Sequence, residues 1–222
     1  MMDAPLNPDR FDTAVDHYVA ARLQYDQRLL DWLVRDSGAG GKRVFDLGCG
    51  PGFIANAMAP HVAEVLGLDP SPNMIAAARA HAAPNARFEV GSSEDLSAVQ
   101  APLQLVTIGR AFHWMDRPQT LADLDPLIAP GGAIALLNDQ PVDAPMNQWW
   151  RDFNAVAKSF AVMDDYNQHR ASDDWVPHEE VLSASAFDDL RSIMVYQTHE
   201  WSFGLLLRNT LSRSATTEAL LG

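Results

Sequence analysis

The chain has 222 residues, 47% hydrophobic and 20% charged, which suits one globular domain with a sizeable core. Lys and Arg number 16 against 29 Asp and Glu, a formal charge of −13; so acidic a surface repels phosphate backbones and anionic lipid, which excludes nucleic acid and membrane surfaces as expected partners. The one cysteine, Cys49, rules out an intrachain disulfide, no apolar run approaches the ~20 residues that span a bilayer, and the start Met1-Met2-Asp3-Ala4-Pro5 is not a signal peptide, so a cytoplasmic location is expected.

Residues 1 to about 10, with Pro, Asn and Asp, read as a mobile start. From Phe11 to Val34 apolar residues recur at helical spacing, with Asp12 or Thr13 able to cap the start. Tyr18 and Arg22 are four apart and share a face, either as a packed aromatic beside a surface arginine or as a polar pair over a ligand pocket. No proline interrupts Arg22-Leu23-Gln24-Tyr25-Asp26, so one unbroken helix is expected. Ser37 to Gly41 is a flexible link. Val44 to Leu47 reads as a short buried strand, and Gly48-Cys49-Gly50-Pro51-Gly52 as a turn into a helix that ends near Ala59, before Pro60. Such a strand, glycine turn and helix let backbone N–H groups approach a ligand closely.

Val62 to Leu68 is strand-like. Asp69-Pro70-Ser71-Pro72 breaks the chain and opens a helix over Asn73 to His81, with Ser71 as cap. Ala86 to Val90 is a third strand, Gly91-Ser92-Ser93-Glu94-Asp95 a polar turn, and Leu103 to Ile108 a fully apolar fourth strand. A helix with Leu121, Leu124, Leu127 and Ile128 is ended by Pro130-Gly131-Gly132, and Ala133 to Leu137 is a fifth strand. Short apolar strands that alternate with helices and lack period-2 patterning predict a parallel sheet buried on both faces, a doubly wound α/β layer with its ligand crevice at the strands' carboxyl ends. Residues 138 to 190 differ: Gln148 to Met163 reads as an aromatic-rich helix, and Asp164, Asp165, Asp173 and Asp174 lie in a polar loop around Trp175. Ser192 to Phe203 reads as a sixth strand and Leu205 to Leu221 as a last helix. The organisation expected is a single domain: a helical cap (1–40), a cofactor-binding core (41–140), a substrate-side helical insertion (141–190), and a final strand and helix (191–222).

The glycine turn fits neither phosphate motif. A dinucleotide turn needs G-x-G-x-x-G, and Phe53 stands where the third glycine should be; a P-loop needs a Gly-Lys-Ser/Thr ending, which is absent. The string Val-Phe-Asp-Leu-Gly-Cys-Gly-Pro-Gly (44–52) instead resembles the first motif of class I S-adenosylmethionine-dependent methyltransferases. Leu66 to Met74 resembles the second motif, Gly91 to Leu96 sits where the third does, Arg110-Ala111-Phe112-His113-Trp114-Met115-Asp116 resembles a fourth, and Leu127 to Gly132 resembles the turn before strand five. The resemblance covers roughly residues 11 to 140. The His-Trp pair and the Tyr18/Arg22 helix point to the small-molecule branch that includes trans-aconitate-type and ubiquinone-biosynthesis-type enzymes.

The resemblance implies a doubly wound Rossmann-like methyltransferase fold, with S-adenosyl-L-methionine as cofactor. In the turn, Gly48, Cys49 and Gly50 would approach the methionine portion. Asp46 would face its ammonium directly or through water, or else cap the turn. Asp69 would accept the ribose hydroxyls, with Pro70 beside it, or else cap the next helix. Met74 would pack on adenine or fill core, and Ser92, Ser93 and Glu94 would line the adenine edge or form a solvated turn. Tyr18 and Arg22 resemble positions over the methionine carboxylate and the substrate entrance, and Arg110, at the carboxyl end of strand four, could bind a substrate carboxylate or pair with one of the many Asp residues. His113, just past strand four, is the candidate base or substrate-orienting group, or a structural histidine beside Trp114. Trp114, Trp149 and Trp175 would shape the pocket of a small, partly apolar acceptor, or else the aromatic-rich insertion is ordinary core or a dimer surface.

Cys49 lacks a histidine neighbour and reads as a small residue inside the turn, and no His, Cys or Glu group has metal-ligand spacing. Small-molecule methyl transfer is therefore the first expectation, O-methylation ahead of C- or N-methylation. A non-catalytic S-adenosylmethionine-binding protein and a nicotinamide oxidoreductase are the alternatives. The family sheet ends in a seventh, antiparallel strand for which this sequence has no candidate, so an exposed edge and a possible homodimer are expected.

Overall fold

The computed structural model describes residues 14–161, 168, 172–187, 189–213 and 216. The strands are β1 (Arg43–Leu47), β2 (Glu64–Asp69), β3 (Ala86–Val90), β4 (Leu103–Gly109) and β5 (Ile128–Leu137). The helices are α1 (Val15–Ala21), α2 (Gln27–Asp36), α3 (Phe53–Met58), α4 (Pro72–Ala80), α5 (Arg117–Leu124), α6 (Gln148–Ser159), α7 (His178–Ser183) and α8 (Phe203–Leu211). The chain divides into two units: one is drawn from Met1–Leu23, Asp139–Trp175 and His199–Gly222, the other from Gln24–Asn138 and Val176–Thr198.

The second unit holds the sheet, ordered β3-β2-β1-β4-β5 with every pairing parallel. The central strands are buried on both faces, and alternate residues feed two cores. Val44 and Leu105 join Ile54, Met58 and Ile75 on one side, while Phe45, Leu47, Val106 and Ile108 join Phe112, Leu121 and Leu124 on the other. Each such side chain contributes roughly 1.5–3 kcal/mol on burial, which explains why these strands carry unbroken apolar runs. One acid interrupts β1: Asp46 is fully buried between Phe45 and Leu47.

Three expectations about elements are corrected. The helix expected over Phe11 to Val34 is two helices, α1 and α2, parted at 22–26. Arg22 leaves α1 in an extended conformation, and the Asp26 carboxylate caps α2 by accepting from the Arg28 N–H at 2.8 Å. A capping carboxylate can start a helix without a proline to end the one before. Pro130-Gly131-Gly132 does not precede β5 but lies within it. Leu103 pairs with Ile128 and Leu105 with Ala133, so the prolyl-glycyl segment is extruded as a bulge. Gln104 secures the bulge by donating to the Gly131 carbonyl at 3.2 Å and to the Ser37 carbonyl at 2.7 Å.

Residues 192–202 form no strand. Part of that stretch is held by α2 rather than by the sheet, the Arg28 guanidinium donating to the Tyr196 carbonyl at 3.3 Å. Isolated β-propensity does not make a strand without a paired neighbour. The last helix begins at Phe203, two residues earlier than expected, and is described to Leu211. The aromatic-rich helix α6 ends at Ser159. Phe11, the caps Asp12 and Thr13, Met163, Asp164, Asp165 and the far end of the last helix lie outside the described residues, as does the start of the chain.

In the first unit α1 and α8 pack together, and the Asn209 side chain donates to the Ala21 carbonyl at the end of α1 at 3.1 Å. Among the described residues no helix is long and apolar enough to cross a membrane.

Gly52, the cap of α3, has φ +80°, and a Cβ there would stand 2.7 Å from the buried Phe88 ring. Gly52→Ala is expected to cost about 1–3 kcal/mol of stability through backbone strain and overpacking, read as a lower urea midpoint with an unchanged slope.

Candidate functional site

Parallel pairing sets the ends of β1 and β2 side by side, with Leu47 opposite Leu68. The chain leaving β1 is then fastened to the end of β2. The Gly48 and Cys49 N–H groups both donate to the Leu68 carbonyl, at 2.8 and 2.9 Å. One Asp69 oxygen accepts from the Gly50 N–H at 2.8 Å and the other from the Ser71 N–H at 3.0 Å. Ser71 in turn caps α4 by accepting from the Met74 N–H at 3.2 Å. Asp69 is therefore a structural acceptor for both flanking segments, and each oxygen keeps lone-pair capacity for a further donor. Burial raises its carboxyl above the usual range, against the pull of the two amides.

Gly50 differs from its neighbours. Its φ is +53°, and a Cβ built there meets no atom within 4 Å. At this one position of the turn the side chain is missing although the fold leaves room for it. Opposite, Gly48 lies against Ala111, whose Cβ would be 2.4 Å from a Cβ at 48, so the loop after β4 closes on the turn. Cys49 is buried, and burial together with the nearby acids Asp46 and Asp69 pushes its thiol well up, so it is a neutral thiol and no nucleophile.

Asp46 lies beneath the turn. Thr107 donates to its Oδ1 at 2.8 Å, while its buried Oδ2 has no hydrogen-bond partner. Burial pushes its carboxyl up to about 7, with the Asp69 charge adding to the rise and the Thr107 hydrogen bond and the nearby Ala55 amide opposing it. A buried acid with one orphaned oxygen suits a cationic ligand that would stabilise its charged form. Glycine bulk, acid placement and the orphaned oxygen thus fit a ligand with hydroxyls and a positive charge.

Other residues named from the sequence fall at the same carboxyl-end edge. Met74 is 3% exposed, so it is largely enclosed by protein. Pro70, Ser92 and Ser93 are half-buried and Glu94 is exposed, its N–H donating to Ser92 Oγ at 3.3 Å. Past β4, Arg110 takes a left-handed φ of 56° and donates its N–H to the Leu137 carbonyl at 2.9 Å. The Tyr25 hydroxyl donates to the same carbonyl at 3.0 Å, and the Arg110 guanidinium lies over the Tyr25 ring at 4.5 Å. Tyr25 is a residue that sequence reasoning missed. Its signal was Asp26, a helix cap that leaves the residue before it outside either helix.

His113 lies in the short turn Phe112–Trp114, its ring 5.0 Å from Trp114. Its ring is also nearly parallel to that of His178, at 6.5 Å and 17°. Sequence spacing set these histidines far apart, and the fold brings them together. Arg117 stands 3.1 Å from His178 Nδ1 and also donates to the Val176 carbonyl at 2.6 Å. A guanidinium only donates, so this contact is a hydrogen bond when His178 Nδ1 is the acceptor. Among the described residues there is no group of three or more side chains able to hold a metal ion.

Tyr18, Arg22, Trp149 and Trp175 belong to the first unit, and the glycine turn belongs to the second. There Arg22 lies over the Tyr18 ring at 5.1 Å, Trp149 meets Trp150 edge-on at 5.6 Å and is 44% exposed, and Trp175 is half-buried.

Residues 44–132, the stretch that forms this edge, match the family described as Methyltransferase domain. The chain is 40% identical over 97 residues to a trans-aconitate 2-methyltransferase of Deinococcus radiodurans, covering 42% of this chain and 36% of that one. It is 34% identical over 110 residues to a ubiquinone biosynthesis O-methyltransferase of Aromatoleum aromaticum, covering 47% of each. It thus spans about half or less of the length of these curated relatives. A solved candidate type II methyltransferase of Anaeromyxobacter dehalogenans shares the fold, with a TM-score of 0.54 at 21% identity over 88% of this chain and 80% of that one.

Asp46 yields a pH signature. Its folded carboxyl is raised to about 7 from 3.8, so the folded chain holds this proton more tightly than the unfolded chain. The ligand-free protein should therefore lose stability relative to Asp46→Asn as pH rises from about 4 to about 7, by on the order of 2–4 kcal/mol, and show no further change above. Thermal melts of both proteins across that range check the sign.

Proposed function

We propose that this chain, whose residues 44–132 match a methyltransferase-domain family, is an S-adenosylmethionine-dependent enzyme that transfers a methyl group to a small-molecule acceptor. The observation that carries the reading is the Gly50–Asp69 arrangement: a turn amide held by an acid at the sheet's carboxyl edge, with open space where Gly50 lacks a side chain. S-adenosylmethionine, when bound, supplies an electrophilic methyl group on a sulfonium centre.

The chain's own residues do the rest. Gly48, Cys49 and Gly50 admit the ligand to the turn backbone. Asp69 offers its remaining lone pairs to the ribose hydroxyls, and Asp46 offers a carboxylate to the ammonium, whose charge would offset the burial that now favours its protonated form. Met74 packs against the base, and Ser92, Ser93 and Glu94 line its edge, with Pro70 beside them. Arg110, braced on Tyr25, presents a cation beside the acceptor. His113 orients the acceptor or takes its proton, and Trp114 forms the neighbouring wall. O-methylation is favoured over C- or N-methylation by the named relatives, one an O-methyltransferase.

The test is turnover: radiolabelled methyl transfer and S-adenosylhomocysteine release across hydroxyl-, carboxyl- and amine-bearing acceptors. Tight S-adenosylmethionine binding with no turnover on any acceptor would make the protein a binder rather than an enzyme. NADH binding in its place would return the oxidoreductase reading. At the cofactor site, Gly50→Ala meets no protein atom and should cost only about 1–2 kcal/mol of stability from its left-handed backbone. It should weaken S-adenosylhomocysteine binding about tenfold or more by filling the open space. Unchanged affinity in calorimetry would remove the turn from the site.

A further inference from the structure

Two imidazoles and a guanidinium meet beside the glycine turn, all within the sheet unit. Ala111 and Met115, which flank the turn Phe112–Trp114, both lie against Gly48, so His113 is carried on the loop that closes over the turn after β1. His178 opens α7, which is anchored from two sides. Val181 is buried in the core that holds Phe112 and Leu121, with Leu182 and Phe187 packed against it. From α5, Arg117 donates to the Val176 carbonyl at 2.6 Å and reaches His178 Nδ1 at 3.1 Å. The His178 ring then stands edge-on to Phe112, at 5.2 Å and 65°, and nearly parallel to His113, at 6.5 Å and 17°.

Arg117 decides what the second imidazole can do. A guanidinium has donors and no acceptor, and it stays charged at neutral pH. At 3.1 Å a proton on Nδ1 would set donor against donor, and a doubly protonated ring would also set cation against cation. The arrangement therefore favours an unprotonated Nδ1. Other charged groups lie on the elements packed here: Asp116, Asp123 and Asp125 along α5 and its caps, and Glu179 and Glu180 on α7. All five are exposed, so water screens them. Arg110, earlier on the β4 loop, is turned onto the Tyr25 ring, and the acids of the glycine turn are Asp46 and Asp69. His113 has the Trp114 ring beside it at 5.0 Å.

We propose that Arg117 holds His178 as a neutral imidazole with its proton on Nε2, and that His178 is a positioning residue for His113. The pair then takes up a single proton, on His113, while the His178 ring orients its neighbour without competing for that proton. The use of the pair in catalysis rests on the methyltransferase reading. In the transfer, the acceptor oxygen bonds to the methyl carbon as the carbon–sulfur bond breaks. The electron pair of that bond stays on sulfur, and the acceptor proton passes to His113 and then to water.

The test uses the full chain labelled with nitrogen-15 histidine, its imidazole nitrogens followed from about pH 5 to about pH 8 in two-bond proton–nitrogen spectra. His113→Gln and His178→Gln assign the two rings. The expected result is a His178 that is neutral, with its proton on Nε2, and remains so where His113 is half protonated. Arg117→Gln keeps a donor but removes the charge, and should make His178 bind its proton about tenfold tighter or more. His178→Gln should leave the His113 midpoint in place, and His178→Lys, a fixed cation beside it, should lower it. The acid limb of the pH–rate profile for radiolabelled methyl transfer to hydroxyl-bearing acceptors should follow the same pattern, fixed in His178→Gln and moved to lower pH in His178→Lys. A wild-type His178 that is charged at neutral pH or protonated on Nδ1 overturns the positioning role, as does a His113 midpoint that His178→Lys leaves unmoved in the folded protein. If Arg117→Gln does not fold, the wild-type and His178-variant spectra decide by themselves. Wild type that gives the expected spectra but neither binds S-adenosylhomocysteine nor turns over keeps the histidine pair and overturns the methyltransferase reading instead.

Discussion

The carboxylate of Asp69 is the constraint on which the glycine turn depends. With one oxygen on the Gly50 amide and the other on the Ser71 amide, it ties the turn after β1 to the turn after β2. Through Ser71 the same chain of bonds reaches the start of α4. Backbone amides at a tight turn have no internal partners, so an acid from the neighbouring strand can both satisfy one and set where the others point. The parallel register places that acid at the end of β2, beside the end of β1. The loop after β4 then packs on the same turn through Ala111, and Tyr25 and Arg110 brace the end of β5 through the Leu137 carbonyl.

The sheet unit holds buried charge that its own residues do not neutralise. It is acidic: Asp46 has an orphaned oxygen and a raised carboxyl, and Asp69 is raised by burial too. Folding for stability alone would replace such groups with apolar ones of similar volume. Their retention fits a cationic ligand, and perturbed ionisable groups of this kind concentrate where ligands act.

Much of the fold was legible because parallel strands buried on both faces leave a local signature: apolar runs of five to seven residues divided by glycine, proline and capping residues. The elements that were misread lacked that local cause. The break at 22–26 depends on Asp26 capping forward and Tyr25 reaching the Leu137 carbonyl, and that partner lies 112 residues away. The bulge at 129–132 depends on the pairing of β4 with β5 and on Gln104 beneath it. Residues 192–202 have strand-like composition but no sheet partner, and a strand exists only by pairing.

The sequence by itself determined the alternation of strands and helices, the glycine turn, and the acids that serve it. Those are features of consecutive residues, whose chemistry is fixed by spacing along one chain. Only the tertiary structure decided which distant side chains meet. It stacked His178 on His113, set Arg110 over Tyr25, and used Asn209 to bring Arg213 to the end of α1. It also separated the glycines of the turn: packing makes Gly52 necessary to the fold, while of the three only Gly50 faces open space. Identity and spacing cannot distinguish two such glycines, because the difference lies in the atoms that other parts of the chain bring beside them.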